Sequence, residues 1–275
     1  MLDRKASPKP AFAAIWSAPL IALILFCCAP ANTAWAQPPT TRKPAAPSAA
    51  ASNTPFAYKQ IGSPADEPRN GKVEGPKMLK SGEITDQKLF DDYWNFVISQ
   101  LTWQSNQGDL PKVRTLIKGH LRSGKDPARE RLVKTLILPF CTKVAKGREF
   151  SPPTRINAVL TIGELNKVDL VPGGPPQVSL PEARQVLLEL LDPKLPVDDM
   201  QDALRVAAMV GLLNHIERGG ITDDRQKKLA ISHLQSLLKA EQPPPGRDAE
   251  VHKWLKRLAN EVNSGLNGGR VATGR

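Results

Sequence analysis

From Thr85 onward, apolar residues recur at steps of three and four, the period of helices that bury one face. Phe90, Tyr93, Trp94, Val97, Ile98 and Leu101 share one face of a first helix, capped by Thr85 or Asp86. Asp109 opens a second, with Val113, Leu116, Ile117 and Leu121 inward. A third spans roughly 127–146 with Leu132, Leu136 and Phe140 inward, and Pro139, lacking a backbone donor, kinks it. Ser151 with Pro152 and Pro153 starts the fourth. In SLPE, Ser179 and Glu182 form a capping box for the fifth, whose stripe is Ala183, Val186, Leu187, Leu190 and Leu191. Pro196 starts the sixth, through Met200, Leu204, Ala207, Ala208 and Gly211. Thr222 caps the seventh, with Ala230, Ile231, Leu234, Leu237 and Leu238 inward. The eighth covers 248–263 with Val251, Trp254, Leu255, Leu258 and Val262.

No segment reads as a convincing strand. The pattern predicts an all-α domain of about eight helices over 85–265, then a flexible tail at 266–275. Short connections rich in Gly and Pro make consecutive helices antiparallel neighbours, which suits a compact bundle and a stacked solenoid equally.

Two segments break the helical preference in the same way. RINAVLTIGELN from Arg155 and ALRVAAMVGLL from Ala203 align at an offset of 48 residues. Ile156 pairs with Leu204, Val159 with Ala207, Leu160 with Ala208, Ile162 with Val210, Gly163 with Gly211 and Leu165 with Leu213. Glycine inside a helix costs roughly 1 kcal/mol against alanine. Its repetition therefore points to a gain, and the simplest is close backbone approach between stacked helix pairs. The final helix fits a degenerate third copy ending at Gly265 and Leu266.

Arg155, Ala158, Ile162, Gly163 and Leu165 resemble the inner helix of the short bacterial HEAT-like repeats first described around phycobilisome lyases. The copy at Ala203 has no arginine in register. The resemblance covers about 125–265 and implies an antiparallel helix-pair solenoid, with Arg155, Ala158, Gly163 and Gly211 as packing positions. It implies no activity.

The amino-terminal region changes the picture. Arg4, Lys5 and Lys9 precede an apolar run from Leu20 to Ala29 and small residues around Ala34 and Ala36, the three parts of a signal peptide over 1–36 with a cut that leaves Gln37 first. An uncleaved anchor is the alternative, and would be the chain's one membrane contact; Pro19 and Pro30 argue against it. Phe26 before Cys27 is too large for a lipidation motif. Residues 37–84 are rich in Pro and Ala and read as a disordered linker. The expected location is therefore the periplasm or the exterior.

The formal charge is +11, and +9 without the first 36 residues. Most of the excess lies between Asp109 and Arg148, where eleven basic residues face three acidic ones. Arg114, Lys118 and Arg122 are spaced by four and form a stripe on one helix face, continued by Lys125 and Arg129, which makes these five the candidate anion or partner site. A solvated helix exterior is the bland reading of the same residues.

Motifs for chemistry are missing. Cys141, the one cysteine after the signal, sits in an apolar helix and reads as core filling. His120, His215, His233 and His252 have no metal-ligand spacing, and no phosphate loop or nucleophile elbow occurs. No catalytic residue, metal, cofactor or small-molecule substrate is expected. The leading expectation is a non-enzymatic exported scaffold or adaptor that binds a protein or an anionic envelope polymer. The alternative, if the signal is unused, is a nucleic-acid binder of the kind seen in HEAT-type DNA glycosylases. A third, purely structural role would work through Trp103 and Trp254.

Overall fold

The computed structural model of the chain describes residues 58–170, 173–195, 200–218, 221–240, 242–243 and 248–268. The expected signal peptide, the linker up to residue 57 and most of the tail lie outside them. Among the described residues the chain is mostly helical, with nine helices and one short hairpin.

The additional helix, α1 (Gly71–Ser81), corrects the expectation that everything up to residue 84 lacks a fold. Two glycines and the internal Pro76 hid it, because intrinsic propensity there is poor. Tertiary contact supplies what propensity does not. Met78 and Leu79 are buried, and a Cβ on Gly75 would lie 2.2 Å from the Tyr93 ring, so glycine lets that ring rest on the helix backbone. Just upstream, Ile61 N donates to Thr102 Oγ1 at 2.9 Å, and its carbonyl accepts from Trp103 Nε1 at 3.1 Å.

The helix α2 (Gln87–Ser99) is capped by Asp86, whose carboxylate accepts from Leu89 N at 2.9 Å. Next comes α3 (Leu110–Ser123), which buries Val113, Ile117 and Leu121 but leaves Leu116 46% exposed, contrary to the expected stripe. α4 begins at Ala128–Arg131, widens into a π turn over Leu132–Ile137 and continues as Leu138–Lys146. The wide turn falls just before Pro139, whose ring would crowd the preceding turn of a regular helix. It also shifts the inner face by one residue, so Leu132 and Leu136 are followed by fully buried Cys141, with Phe140 only half-buried.

Ser151 caps α5 (Pro152–Glu164) by accepting from Thr154 N. A two-stranded antiparallel hairpin follows, β1 (Asn166–Val168) and β2 (Val178–Ser179), which the helical periodicity gave no sign of. Ser179 belongs to that hairpin, and its hydroxyl accepts from Arg184 Nη1 at 3.3 Å, so the expected capping box does not form at α6 (Pro181–Leu190). α7 is Gln201–Glu217. α8 (Asp224–Lys239) is capped by Asp223 and not Thr222, and α9 (Ala249–Leu266) by Asp248.

Helices α3, α5, α7 and α9 pack each against the next, and α4, α6 and α8 lie against them on the outside. Contacts between helix ends set the directions. Arg155 Nε, near the start of α5, donates to the Ala145 carbonyl near the end of α4, which ties the two helices together across their short connection. Lys134 reaches Glu182 and Lys146 reaches Glu189, so α4 and α6 run parallel. Thr154 bonds the Leu101 carbonyl before α3 while Glu164 meets Lys118 near its end, so α3 and α5 are parallel too.

The strongest packing joins α5 to α7. A Cβ built on Gly163 would stand 2.5 Å from Gly211 Cα, and one on Gly211 would stand 2.9 Å from Gly163 Cα. The two repeated glycines thus meet each other, as the close-approach reading expects. Ala259, at the same offset of 48 beyond Gly211, is fully buried in α9.

Candidate functional site

The carboxyl ends of α3, α5 and α7 gather on one side, since Lys118 near the end of α3 meets Glu164 at the end of α5 and Arg218, just after α7, feels the same carboxylate. The carbonyls there carry about half a negative charge per helix, and cations are favoured beside them. Three cations collect around one carboxylate, Glu164, at the end of α5, and a fourth, Arg122, lies beside one of them. Lys118 Nζ lies 3.6 Å from it, and both side chains are half-buried. Arg114 on α3 and Arg218 just after α7 lie within its Coulombic reach, and Arg122 is close enough to Arg218 to repel it.

Burial pushes the pKa of both Arg114 and Arg218 down, and Glu164 acts against that shift in each. Arg114 Nε and Arg218 Nη1 are buried without a hydrogen-bond acceptor. A guanidinium nitrogen removed from water and left without an acceptor is a costly arrangement, so the cluster holds more donor capacity than its own residues use.

Beside the cluster lies an open groove of about 300 Å³, between the end of α3, the α3–α4 connection and the hairpin. Arg122, Lys125 and Lys167 line it, with Asp126 and Asp169. Arg129 also forms part of the wall, but it is not free to bind. It is 7% exposed, and it donates to the carbonyls of Leu121 (3.2 Å), Asn166 (2.8 Å) and Lys167 (2.9 Å) and to Asp169 Oδ2 (2.6 Å). Asp169 Oδ1 accepts from Asn166 Nδ2 at 2.7 Å, so this carboxylate is fully engaged. Arg129 therefore anchors the hairpin to α3 and shapes the groove.

The expected stripe is divided by the fold. Arg114 and Lys118 face Glu164 in the half-buried cluster, Arg122 and Lys125 are exposed at the groove, and Arg129 is an internal tie. Much of the remaining local basic excess is paired: Lys112 with Asp109, Arg131 with Asp91, Lys134 with Glu130 and Glu182, and Lys146 with Glu189. The sequence reading missed Arg218 and Lys167. Each lies far along the chain from the stripe, Arg218 being brought to it by helix packing and Lys167 by the hairpin that Arg129 holds against α3.

The repeat residues are internal. Arg155 and Ala158 are buried, and Gly163 with Gly211 forms the backbone contact. Four residues beyond Gly211, His215 is fully buried beside the Gly163 backbone, and neither ring nitrogen makes a well-formed hydrogen bond. Burial, then the nearby Arg184 and Arg218, lowers its pKa to about 3, so it is neutral at pH 7. Burial raises the Cys141 thiol to about 12, which keeps it protonated and unreactive as a nucleophile.

Among the described residues no group of three or more His, Cys, Asp and Glu side chains is placed to hold a metal ion. No helix among them is long and apolar enough to cross a membrane. No protein-family model, curated protein or solved structure matches the chain.

Proposed function

We propose that this protein is a non-enzymatic, exported HEAT-like solenoid that acts as a scaffold or adaptor and uses the face at the ends of α3, α5 and α7 to bind an anionic partner. The observation that carries this reading is the groove of Arg122, Lys125 and Lys167 joined to the half-buried cations around Glu164. The parallel pairs α3–α5 and α4–α6 suit stacked helix pairs, as do the meeting glycines. The basic run and small residues at 1–36 support export, and the composition of 37–57 supports a tether between membrane or signal and the folded part.

A photo-crosslinking residue at Lys125, read out in the envelope fraction, tests the role of the groove, and mass spectrometry of the same fraction tests for Gln37 as first residue. The reading expects a specific adduct that is absent when the probe sits on the exposed Lys228 of α8. An unprocessed, cytoplasmic chain that binds DNA with steep salt dependence would replace it with the nucleic-acid reading.

A further inference from the structure

We infer that Arg114, Lys118, Arg122 and Arg218 form a binding site for a terminal phosphate group, in which the Glu164 carboxylate is a built-in competitor for the ligand. The inference deepens the reading of this face as an anionic contact surface by naming the group it takes. Charge sets the choice. Arg114, Lys118 and Arg218 act on Glu164 and Arg122 lies beside Arg218, so four positive charges stand against that carboxylate and the ends of three helices, which together supply about two and a half negative charges. Asp169 is neutralised by Arg129, and Glu217 is exposed, where solvent and salt screen it. About one and a half positive charges remain, close to the charge of a phosphate monoester at neutral pH.

Donor count points the same way. A carboxylate is already present and still leaves Arg114 Nε and Arg218 Nη1 without acceptors. A second carboxylate, or an internal phosphodiester with one charge and two free oxygens, resembles what Glu164 supplies already. A terminal phosphate brings three acceptor oxygens, and arginine's planar fork matches them. The adjoining 300 Å³ groove has room for the group that carries the phosphate, with Lys125 and Lys167 along it. Free phosphate, a sugar phosphate and a lipid with a phosphomonoester headgroup share this chemistry.

The test is titration of the full chain by calorimetry and thermal denaturation with inorganic phosphate, glucose 1-phosphate and, by flotation, vesicles containing phosphatidic acid. Acetate and chloride at matched ionic strength are the controls. Phosphate should bind and raise the melting temperature where acetate does not. Arg122→Ala and Arg218→Ala should each weaken binding about tenfold. Glu164→Gln should bind phosphate several-fold more tightly, because it removes the competitor without removing a donor; a merely structural Glu164 would lower stability and leave affinity unchanged. Tighter binding of the sugar phosphate or of the vesicles identifies the source of the group. Equal response to acetate and phosphate, or no gain in Glu164→Gln, overturns the inference. That result would leave the scaffold reading standing on crosslinking at Lys125, and failure of the crosslinking would leave the phosphate site standing on its titration.

Discussion

Two contacts between α5 and α7 lie within two helical turns of each other and obey opposite physics. At Gly163 and Gly211 the backbones meet with no side chain between them, and the contact is set by steric exclusion. Around Glu164 and Arg218 charged side chains lie within Coulombic reach of each other, partly in water, and the arrangement is governed by Coulomb energy and an unmet hydrogen bond. The first positions the second: the axial approach that glycine allows puts the carboxyl ends of the two helices side by side. One joint is rigid because it has no freedom to adjust, while the other has spare donors and surplus charge. That difference separates a closed packing joint from a cluster with unmet donors.

The sharpest way to break this contrast is Arg129→Ala. If the groove side were held by screened surface charge alone, the loss would stay below about 1 kcal/mol. Removing Arg129 instead strands Asp169 and three carbonyls in a nearly dry site. We expect about 4 kcal/mol of destabilisation in urea unfolding, together with faster amide exchange across Asn166–Val168. At the glycine joint, Gly163→Ala should cost about 3 kcal/mol although alanine is the better helix former, because the obstructing atom is backbone and cannot rotate away. Gly163→Ala with Gly211→Ala should cost less than the sum of the two, since the first already parts the helices. A melting temperature that rises in either single variant refutes the close-approach account.

What the sequence made legible follows from the same contrast. Steric needs leave a local mark: glycine against propensity, repeated at 48 residues among matched apolar neighbours, located the α5–α7 joint from one dimension. The starts at Asp86, one of two candidates there, at Ser151 and at Asp248 were legible for the same reason, since a cap acts within three residues. Cluster formation is non-local. Arg218 reaches Glu164 only after α6 and α7 have folded back, and no local pattern marks it. α1 escaped because packing of Gly75 against Tyr93 overrides its poor propensity, and the hairpin because it is held by Arg129, an arginine that the basic spacing assigned to the surface. Cys141 is core filling, as its apolar surroundings suggested, but the π turn at Leu132–Ile137 leaves Phe140 half-buried, a shift of the inner face that a fixed period cannot anticipate.

Acid provides a milder probe of the rigid side. His215 has a folded pKa of about 3, below its unfolded value of about 6.5, so the unfolded chain takes up the proton first as pH falls. Its contribution to stability is present above pH 6.5 and is lost progressively as pH falls toward 3. Between pH 7 and pH 5 this amounts to about 2 kcal/mol. His215→Leu should flatten that part of the profile and cost little at pH 7, since neither ring nitrogen makes a well-formed hydrogen bond. An unchanged slope in the variant would mean that other groups govern the acid limb.

The smallest effect distinguishes the periodic reading of α3 from its packing. An inward stripe of Val113, Leu116, Ile117 and Leu121 would make each a core residue, and truncating any of them would cost about 2–5 kcal/mol. In the fold the helix turns three of the four inward and leaves Leu116 46% exposed, because the face toward α5 is shared with Arg114 and Lys118. Leu116→Ser should therefore change unfolding free energy by less than about 0.5 kcal/mol, while Ile117→Ala, one residue on, costs several times more. Equal losses at the two positions would rotate α3 about its axis and move Arg114 and Lys118 away from Glu164. The cation cluster thus depends on which side of α3 is buried, and a pair of denaturation curves decides that directly.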